Sequence, residues 1–468
     1  MTTAPPLHFV VVVLGDVGRS PRMQYHALSL LELGDHVTVS LVGYTGEELI
    51  DPLGEYRDSA NDRLNVIRFC VPSFEPLKRV KILYFAYRVL SLSIYLLYAL
   101  LLSVPSRHPV DGILLQNPPA LPLLAVALLV SRLRGVLRRH QPRPRVIVDW
   151  HNLGFSMLDN PQLKRIAKAY EFYFAPMADG HLTVTYAMKD YLLEQLPTIP
   201  STSISVLYDC PPVMFEALDT SQQHAIMSKL HDALVQATPR SWQLQSLDST
   251  NETILTSRQQ FSKTRFAYAI RRNRPALITS STSWTPDEDF GLLLDALVLL
   301  DAKVEREASS LKVLVVVTGK GPQKAFYETK MSQLRLTSVA IQTIWLEPGD
   351  YPKLLACADV AVSLHTSTSG LDLPMKILDS YGCQVPVCAR NFDCLDELVQ
   401  DGHNGRIFRD QYELSEQLWE VLSPLTEQPD AAPHQFGDLK EYSENLKGRM
   451  RWQDNWTEHA LPVLLSSQ

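Results

Sequence analysis

The sequence predicts an α/β protein of two Rossmann-like halves, and three observations predict it. Short runs such as Phe9–Leu14, Val313–Val317 and Ala358–Leu364 are apolar almost throughout, the composition of strands covered on both faces. Segments of helical length alternate with them, the pattern of a parallel sheet with crossover helices. The chain has 468 residues, too many for one ordinary core, so two domains are expected.

In the first half, assigned to residues 1–210, Phe9–Leu14 reads as a buried strand. It is too short for the apolar part of a signal peptide. The loop Gly15–Pro21 follows, then a helix from about Arg22 to Leu33 ended by Gly34, and a second strand over His36–Val42. Gly15 and Gly18 are spaced G-x-x-G, and no acidic residue closes the second strand, so this is not a dinucleotide fingerprint. Gly15 and Gly18 permit close backbone approach to a ligand, with Arg19 beside them, although a tight turn without a ligand accounts for the same residues. Strands are expected over Leu64–Phe69, Gly112–Gln116, Val146–His151 and His181–Thr185, with a helix over Pro161–Ala175. Asp149 and His151 therefore sit at a carboxyl edge of the sheet, where open α/β sheets bind ligands. Asp209-Cys-Pro-Pro-Val213 closes this half.

One segment stands apart. Ile82–Val104 is apolar with Arg88 its only charge, long enough to cross a bilayer, and preceded by Lys78, Arg79 and Lys81. The strands before and after it belong to one sheet, so a single crossing would leave half the sheet on each side of the membrane. The segment is read as an interfacial helix, with Tyr84, Tyr87, Tyr95 and Tyr98 suited to a headgroup boundary. A second apolar helix over Ala120–Val130 and a run of arginines from Arg132 to Arg145 follow.

Residues 211–275 read as a linker and surface insertion: 216–272 is polar and lacks a sustained period. The second half, 276–445, opens with the strand Ala276–Ser281, which runs into a Ser/Thr loop. A helix over Asp287–Leu300 follows. The acids Asp287, Glu288 and Asp289 are read as complementing the helix dipole rather than as metal ligands. Thr318-Gly-Lys-Gly-Pro322 is a glycine loop in which Lys320 is a possible phosphate contact. The strand Ala340–Trp345 exits through Leu346-Glu-Pro-Gly349, so that Glu347 borders a possible base pocket. Cys394–Val399 and Gly405–Phe408 are expected to finish the sheet, and the tail 446–468, with Trp452 and Trp456, to pack back on the first half.

The densest signal is Ser363–Val387: a strand end, a Ser/Thr loop broken at Gly370, a helix expected to begin at Pro374, and a stop at Gly382 before the next strand. Uncapped N–H groups at a helix start attract an anion, and Lys376 adds a full charge there. Asp379 shares its face three residues on. A cation and helix end for a diphosphate, with a carboxylate for ribose hydroxyls, make a nucleotide-sugar site. An ordinary helix start with an exposed ion pair accounts for the pair Lys376 and Asp379 equally well.

Gly370-Leu-Asp-Leu-Pro-Met-Lys376, Asp379, the Gly382-Cys-Gln-Val-Pro-Val387 tail, Ser281-Thr-Ser-Trp-Thr-Pro-Asp-Glu-Asp-Phe290 and Asp149-Trp-His-Asn152 resemble the chitobiosyldiphosphodolichol β-mannosyltransferase family of GT-B glycosyltransferases. The resemblance covers most of the chain apart from about 216–272 and the far C-terminus. It implies a GT-B fold of two Rossmann-like domains facing a central cleft. It implies GDP-mannose as donor and GlcNAc2 on dolichyl diphosphate as acceptor, an inverting and metal-independent reaction, no cofactor beyond the donor substrate, and the cytosolic face of the endoplasmic reticulum membrane. Ser281, Ser283, Gly370, Leu373, Met375, Lys376, Asp379, Lys320 and Glu347 are then donor-binding candidates. His151 and Asp16 are the candidates for the catalytic base. Ser281–Asp289 carries no cation where related retaining enzymes hold the diphosphate with Arg and Lys, which shifts that task to Lys376. Another polyprenyl-diphosphate-linked GT-B transferase, or an inactive module that binds a nucleotide sugar or a partner enzyme, remains open.

The net charge of −7 argues against a general nucleic-acid binder. Six cysteines are scattered without metal-ligand spacing and are expected to be reduced core residues.

Overall fold

The computed structural model describes residues 5–57, 63–70, 79–105, 109–138, 141–262, 265–286, 288–426 and 437–466. The chain divides into two compact units, Met1–Asp209 with Met450–Gln468, and Cys210–Arg449.

The first unit is a parallel sheet of seven strands: β1 (Leu7–Asp16), β2 (Val37–Tyr44), β3 (Leu64–Phe69), β4 (Gly112–Asn117), β5 (Arg145–Trp150), β6 (Gly180–Thr183) and β7 (Ile204–Val206). Their order is β3-β2-β1-β4-β5-β6-β7, so the winding reverses between β1 and β4. β1 is buried over most of its length, as the uniform run of valines requires of a central strand. On one face Phe9, Val11 and Val13 pack with Met23, Ala27 and Leu30 of the helix Pro21–Glu32. The same cluster takes in Trp456, Ala460, Val463 and Leu464, from the C-terminal helices Trp452–His459 and Leu461–Leu465. The tail thus completes the core of the first unit.

β3 and β4, which flank the long apolar segment, lie in one sheet. That segment is the helix Lys81–Tyr98, continued by a wider turn over Ala99–Ser103. Leu92, Leu96, Ala99 and Leu100 face inward, while Leu83, Leu90, Ile94, Tyr98 and Leu102 form an outward stripe at helical spacing. Leu102 is 73% exposed. Tyr84, Tyr87 and Tyr95 are half-buried rather than outward, and Lys78 lies outside the described residues.

The second unit is a parallel sheet of six strands with a separate hairpin. The hairpin is β8 (Thr256–Gln260) and β9 (Phe266–Ile270). The sheet contains β10 (Ala276–Ser281), β11 (Val313–Thr318), β12 (Val339–Ile344), β13 (Val360–Ser363), β14 (Val387–Arg390) and β15 (Gly405–Phe408), in the order β12-β11-β10-β13-β14-β15. The reversal falls between β10 and β13. A bidentate pair from Arg274 to Asp359, at 2.7 and 2.8 Å and almost fully buried, joins these two strands at their amino ends.

Three expectations are corrected. Residues 216–272 are not a surface insertion. The helices Thr220–Lys229 and His231–Val235 bury Ile226, Met227 and Leu234 against Leu314, Val316 and Leu354, closing one face of the sheet. Their polar residues hid a core because few apolar side chains, at irregular spacing, cover that face. Cys394–Val399 is not a strand; it holds the short turn Leu395–Glu397, entered through Cys394 at φ 62°. Among the cysteines, Cys357, Cys383 and Cys388 are core, but Cys70 is exposed.

Because the insertion belongs to the core, Leu234→Ala should destabilise the second unit by about 2–5 kcal/mol, the range for a large-to-small change in a packed site. Denaturant unfolding followed by a probe within 276–445 would measure it. An unchanged midpoint would mean that 216–272 folds apart from the sheet.

Candidate active site

Each unit sets its candidate residues along the carboxyl edge of its sheet, the side on which such sheets bind ligands.

In the first unit the centre is Asp149, the penultimate residue of β5 and fully buried. Arg22, at the start of the helix after β1, grips it bidentately, Nε to Oδ2 and Nη2 to Oδ1, both at 2.8 Å. Arg22 also donates to the Leu207 carbonyl and to Asp209 Oδ1. His151 Nε2 lies 2.8 Å from Asp149 Oδ2. Burial alone would raise the Asp149 pKa, but the Arg22 charge and the hydrogen bonds from Arg22 and His151 outweigh it and hold the carboxyl well below the usual range. An ionised Asp149 only accepts, so His151 carries its proton on Nε2. Its Nδ1 then presents a lone pair that meets no hydrogen-bond partner among the described residues. His151 is 22% exposed.

Asp16 is placed differently. Its Oδ1 accepts from Gly18 N at 3.0 Å and its Oδ2 from Glu47 N at 3.1 Å, with Arg19 Nε 3.5 Å away. It caps the turn Val17–Arg19 and ties that turn to the next loop. Gly18 serves the same contact, since a Cβ there would stand 2.4 Å from the Glu47 carbonyl oxygen. Arg19 is paired with Glu47 at 2.7 Å, and Gly15 is the last residue but one of β1. The Gly15–Arg19 loop is therefore closed on the Glu47 loop rather than open to an anion.

In the second unit the loops after β10 and β13 meet through Glu288. This carboxylate, 2% exposed, accepts from Thr282 Oγ1 and Ser283 N at 2.7 Å and from Ser283 Oγ at 3.0 Å. It also takes Lys376 Nζ, with His365 Nδ1 3.9 Å away. Burial raises its pKa, but the hydrogen bond and charge of Lys376 and the hydrogen bond from Thr282 outweigh that and hold it far below the ordinary value. Reading the acidic run as dipole complement is correct for Asp289, which caps the helix Phe290–Arg306, and wrong for Glu288; Asp287 lies outside the described residues.

Pro374 is the residue before the helix Met375–Gly382, not its first, and no side chain caps that helix. Lys376, Ser281, Ser363 and Tyr351 line one recess, and the Ser363 hydroxyl there is buried with no partner among the described residues. Asp379 is half-buried and its carboxylate accepts no hydrogen bond from any described residue; burial pushes its pKa up to about 7. The Ser/Thr loop closes on itself: Ser367 and Ser369 donate to Asp372, and Gly370 N, at φ 73°, donates to Ser367 Oγ at 2.9 Å. Leu373 packs on the core and Met375 is exposed. Lys320 stands 3.6 Å over the exposed Trp345 ring, so its charge is engaged by an aromatic face. Its neighbours Gly319 and Gly321 let the glycine loop pack on Thr282 and Ser283, where a Cβ would come within 1.8 and 1.7 Å of backbone oxygens. Glu347 is exposed after the edge strand β12.

Sequence reasoning missed Arg22, His26, Glu288, His365 and Tyr351. Glu288 was one of three adjacent acids, and nothing local distinguishes the one that turns inward.

Asp379 gives a pH signature. The folded protein keeps its proton up to about 7, whereas the unfolded chain releases it near 3.8. Between those values the folded state binds more protons, so this group's contribution to stability declines as pH rises. Asp379→Asn should abolish that decline in thermal melts of the free protein between pH 4 and 8. Parallel wild-type and variant curves would refute the assignment.

The family model described as Glycosyl transferases group 1 matches residues 274–424, the part that carries Glu288, Lys376 and Asp379. A solved glycosyltransferase from Rickettsia africae superposes with TM-score 0.59 at 13% identity, covering 99% of this chain and 100% of that one. Anabaena Alr3699/HepE in complex with UDP-glucose superposes with TM-score 0.56 at 13% identity, covering 97% and 98%. The fold is GT-B and the chain is a glycosyltransferase. The chitobiosyldiphosphodolichol beta-mannosyltransferase of mouse is 38% identical over 98% of this chain and 90% of its own length. The human enzyme of that name is 37% identical over 98% and 93%. UDP-glycosyltransferase TURAN of Arabidopsis thaliana is 35% identical over 97% and 96%. With the Asp149–His151 motif at the carboxyl end of β5, the Lys376–Asp379 motif on the helix after β13 and identity of this extent along nearly the whole chain, the protein belongs to the chitobiosyldiphosphodolichol beta-mannosyltransferase family.

Proposed function

We propose that this chain transfers mannose from GDP-mannose to GlcNAc2-diphosphodolichol with inversion, forming a β-linked mannose at the cytosolic face of the endoplasmic reticulum membrane. Family membership supports the acceptor and the sugar. The observation that carries the mechanism is His151, oriented by the buried Asp149, with an Nδ1 that meets no hydrogen-bond partner among the described residues.

Inversion by direct displacement needs a base for the acceptor hydroxyl and stabilisation of the leaving diphosphate. In this reading His151 Nδ1 takes the hydroxyl proton as the acceptor oxygen attacks the anomeric carbon. The bond from that carbon to the diphosphate oxygen breaks, and its electron pair leaves with GDP. The uncapped start of Met375–Gly382 and the Lys376 ammonium, steadied by Glu288, meet the growing negative charge. Asp379, without a protein partner, accepts the ribose hydroxyls. His151 is favoured over Asp16 because the Asp16 carboxylate already accepts two backbone N–H bonds. The charge on the leaving group is met by protein groups, so the reading requires no divalent ion and no cofactor.

His151→Ala should lower transfer about 10²–10⁴-fold while GDP binding persists. Lys376→Ala should lower turnover strongly with the fold intact. Transfer to a GlcNAc2-diphosphoryl-lipid with GDP-mannose, read with the anomeric configuration of the product, tests the reading. An α product, or near-normal rates in both variants, would sink it.

The acceptor's lipid places the reaction at a bilayer surface, and the first unit has a face for it. The helix Lys81–Tyr98 packs beside the helix Leu123–Leu137, and that helix beside Pro161–Phe174. Arg134 Nη2 binds the Leu100 carbonyl at 2.6 Å, and the Ala125 N–H donates to the Tyr170 hydroxyl at 3.1 Å. The outward stripe of the first helix continues across Leu129, Leu133 and Val136 to Ile166 and Tyr173. Exposed Arg132, Lys164 and Arg165 accompany it. We read this as the surface that seats apolar side chains among lipid tails and cations against phosphates. Leu96 and Leu100 are core, so the informative variant is Leu90→Ser, Ile94→Ser and Leu102→Ser together. It should release the protein from vesicles of phosphatidylcholine with phosphatidylserine without lowering its melting temperature. Retention of a folded variant on those vesicles would overturn the docking role.

A further inference from the structure

We infer that Trp456, on the C-terminal helix Trp452–His459, is a positioning residue: its indole N–H keeps His26 neutral against Asp149 and so leaves the negative charge of Asp149 to the base His151. The inference rests on the reading of His151 as the base.

Trp456 is fully buried, and an indole N–H can only donate. It donates to His26 Nδ1 at 2.8 Å. His26 Nδ1 therefore carries no proton, and the imidazole is neutral with its proton on Nε2. That nitrogen lies 3.1 Å from Asp149 Oδ2. The same oxygen receives His151 Nε2 and Arg22 Nε, both at 2.8 Å, and Oδ1 receives Arg22 Nη2 at 2.8 Å. Four donors thus converge on one carboxylate, about as many as its lone pairs accommodate. Each donor is held from another element: Arg22 and His26 by the helix Pro21–Glu32, His151 by the exit of β5, and His26 in turn by the tail.

The charged and titratable groups facing Asp149 are Arg22, His26 and His151, with Asp209 reached through Arg22. The tail helix brings the neutral indoles of Trp452 and Trp456, and Trp452 lies edge-on to His26 with the Arg22 guanidinium over its ring. Asn455 Nδ2 binds the Tyr208 carbonyl at 2.7 Å and anchors the helix. While Trp456 donates, a second proton has no place on His26, in accord with the lowering of its pKa by burial. Without that donor, Nδ1 becomes a site for a proton. A cationic His26 would compete with His151 for the negative charge of Asp149 and weaken the base.

The test compares pH profiles of kcat in the full-length enzyme. Wild type should lose activity on the acid side with the slope of one proton, that of His151. Trp456→Phe keeps an aromatic ring but removes the donor. It should lower kcat about tenfold near pH 6 with KM unchanged, and its acid limb should steepen to two protons as His26 begins to titrate. His26→Gln can still accept from Trp456 and donate to Asp149, and it cannot titrate. It should retain kcat within about threefold and a slope of one, whereas His26→Leu should lose about tenfold or more. A folded Trp456→Phe whose kcat changes equally at every pH would overturn the inference. If that variant does not fold, equal kcat in His26→Gln and His26→Leu would overturn it. His151→Ala separates the two readings: near-normal activity there refutes the base. The tautomer and charge of His26 would then be read from imidazole ¹⁵N shifts in wild type and Trp456→Phe, and identical shifts would refute the role of Trp456.

Discussion

The structure depends on burying a carboxylate at a sheet edge without losing its charge. Taking an ion out of water costs several kcal/mol, and the cost is offset only when its lone pairs are filled and an opposite charge is close. Asp149 meets both conditions through Arg22, His26 and His151. Removing one partner of such a buried pair costs about 3–5 kcal/mol, because the remaining charge is stranded. The arrangement therefore locks the helix after β1, the exit of β5, the end of the unit at Asp209 and the C-terminal helix into one geometry. It also leaves His151, 22% exposed, as the more accessible of the two imidazoles on that carboxylate.

The second unit solves the same problem with a different acid. Glu288 gathers Thr282, Ser283 and Lys376, so the loops after β10 and β13 are joined where their strands diverge. The joint keeps the Lys376 ammonium beside the uncapped start of the helix Met375–Gly382. Asp379, one turn on, is the contrasting case: half-buried, without a protein partner, and raised to about 7. A group left in that state is incomplete as structure and suited to a ligand. The two acids, seven residues beyond the end of β10 and sixteen beyond the end of β13, look in sequence like other acids nearby and are separated in role by what surrounds them.

The apolar helix Lys81–Tyr98 shows how a segment of membrane composition is held against a parallel sheet. Its flanking strands share that sheet, and one side of the helix is core. The other side stays apolar and outward, continuous with two neighbouring helices. An exposed apolar surface of this extent is costly in water and is kept where a partner phase covers it.

The sequence alone determined the alternation of strands and helices, the division near residue 210, and the strand exit and helix start that carry Asp149, His151, Lys376 and Asp379. These follow from short-range rules: apolar runs of strand length, glycine and proline as stops, and ligand residues at strand exits. Only the tertiary structure decided that Glu288 turns inward while Asp289 caps the next helix, that Asp16 is spent on capping its own loop, and that Lys320 lies on Trp345. It also decided that residues 216–272 close a core, and that Trp456 reaches His26. The reason is common to all of these. Each depends on a partner far away in sequence, and the energy of a buried polar contact is set by the geometry of both partners, which no local pattern encodes.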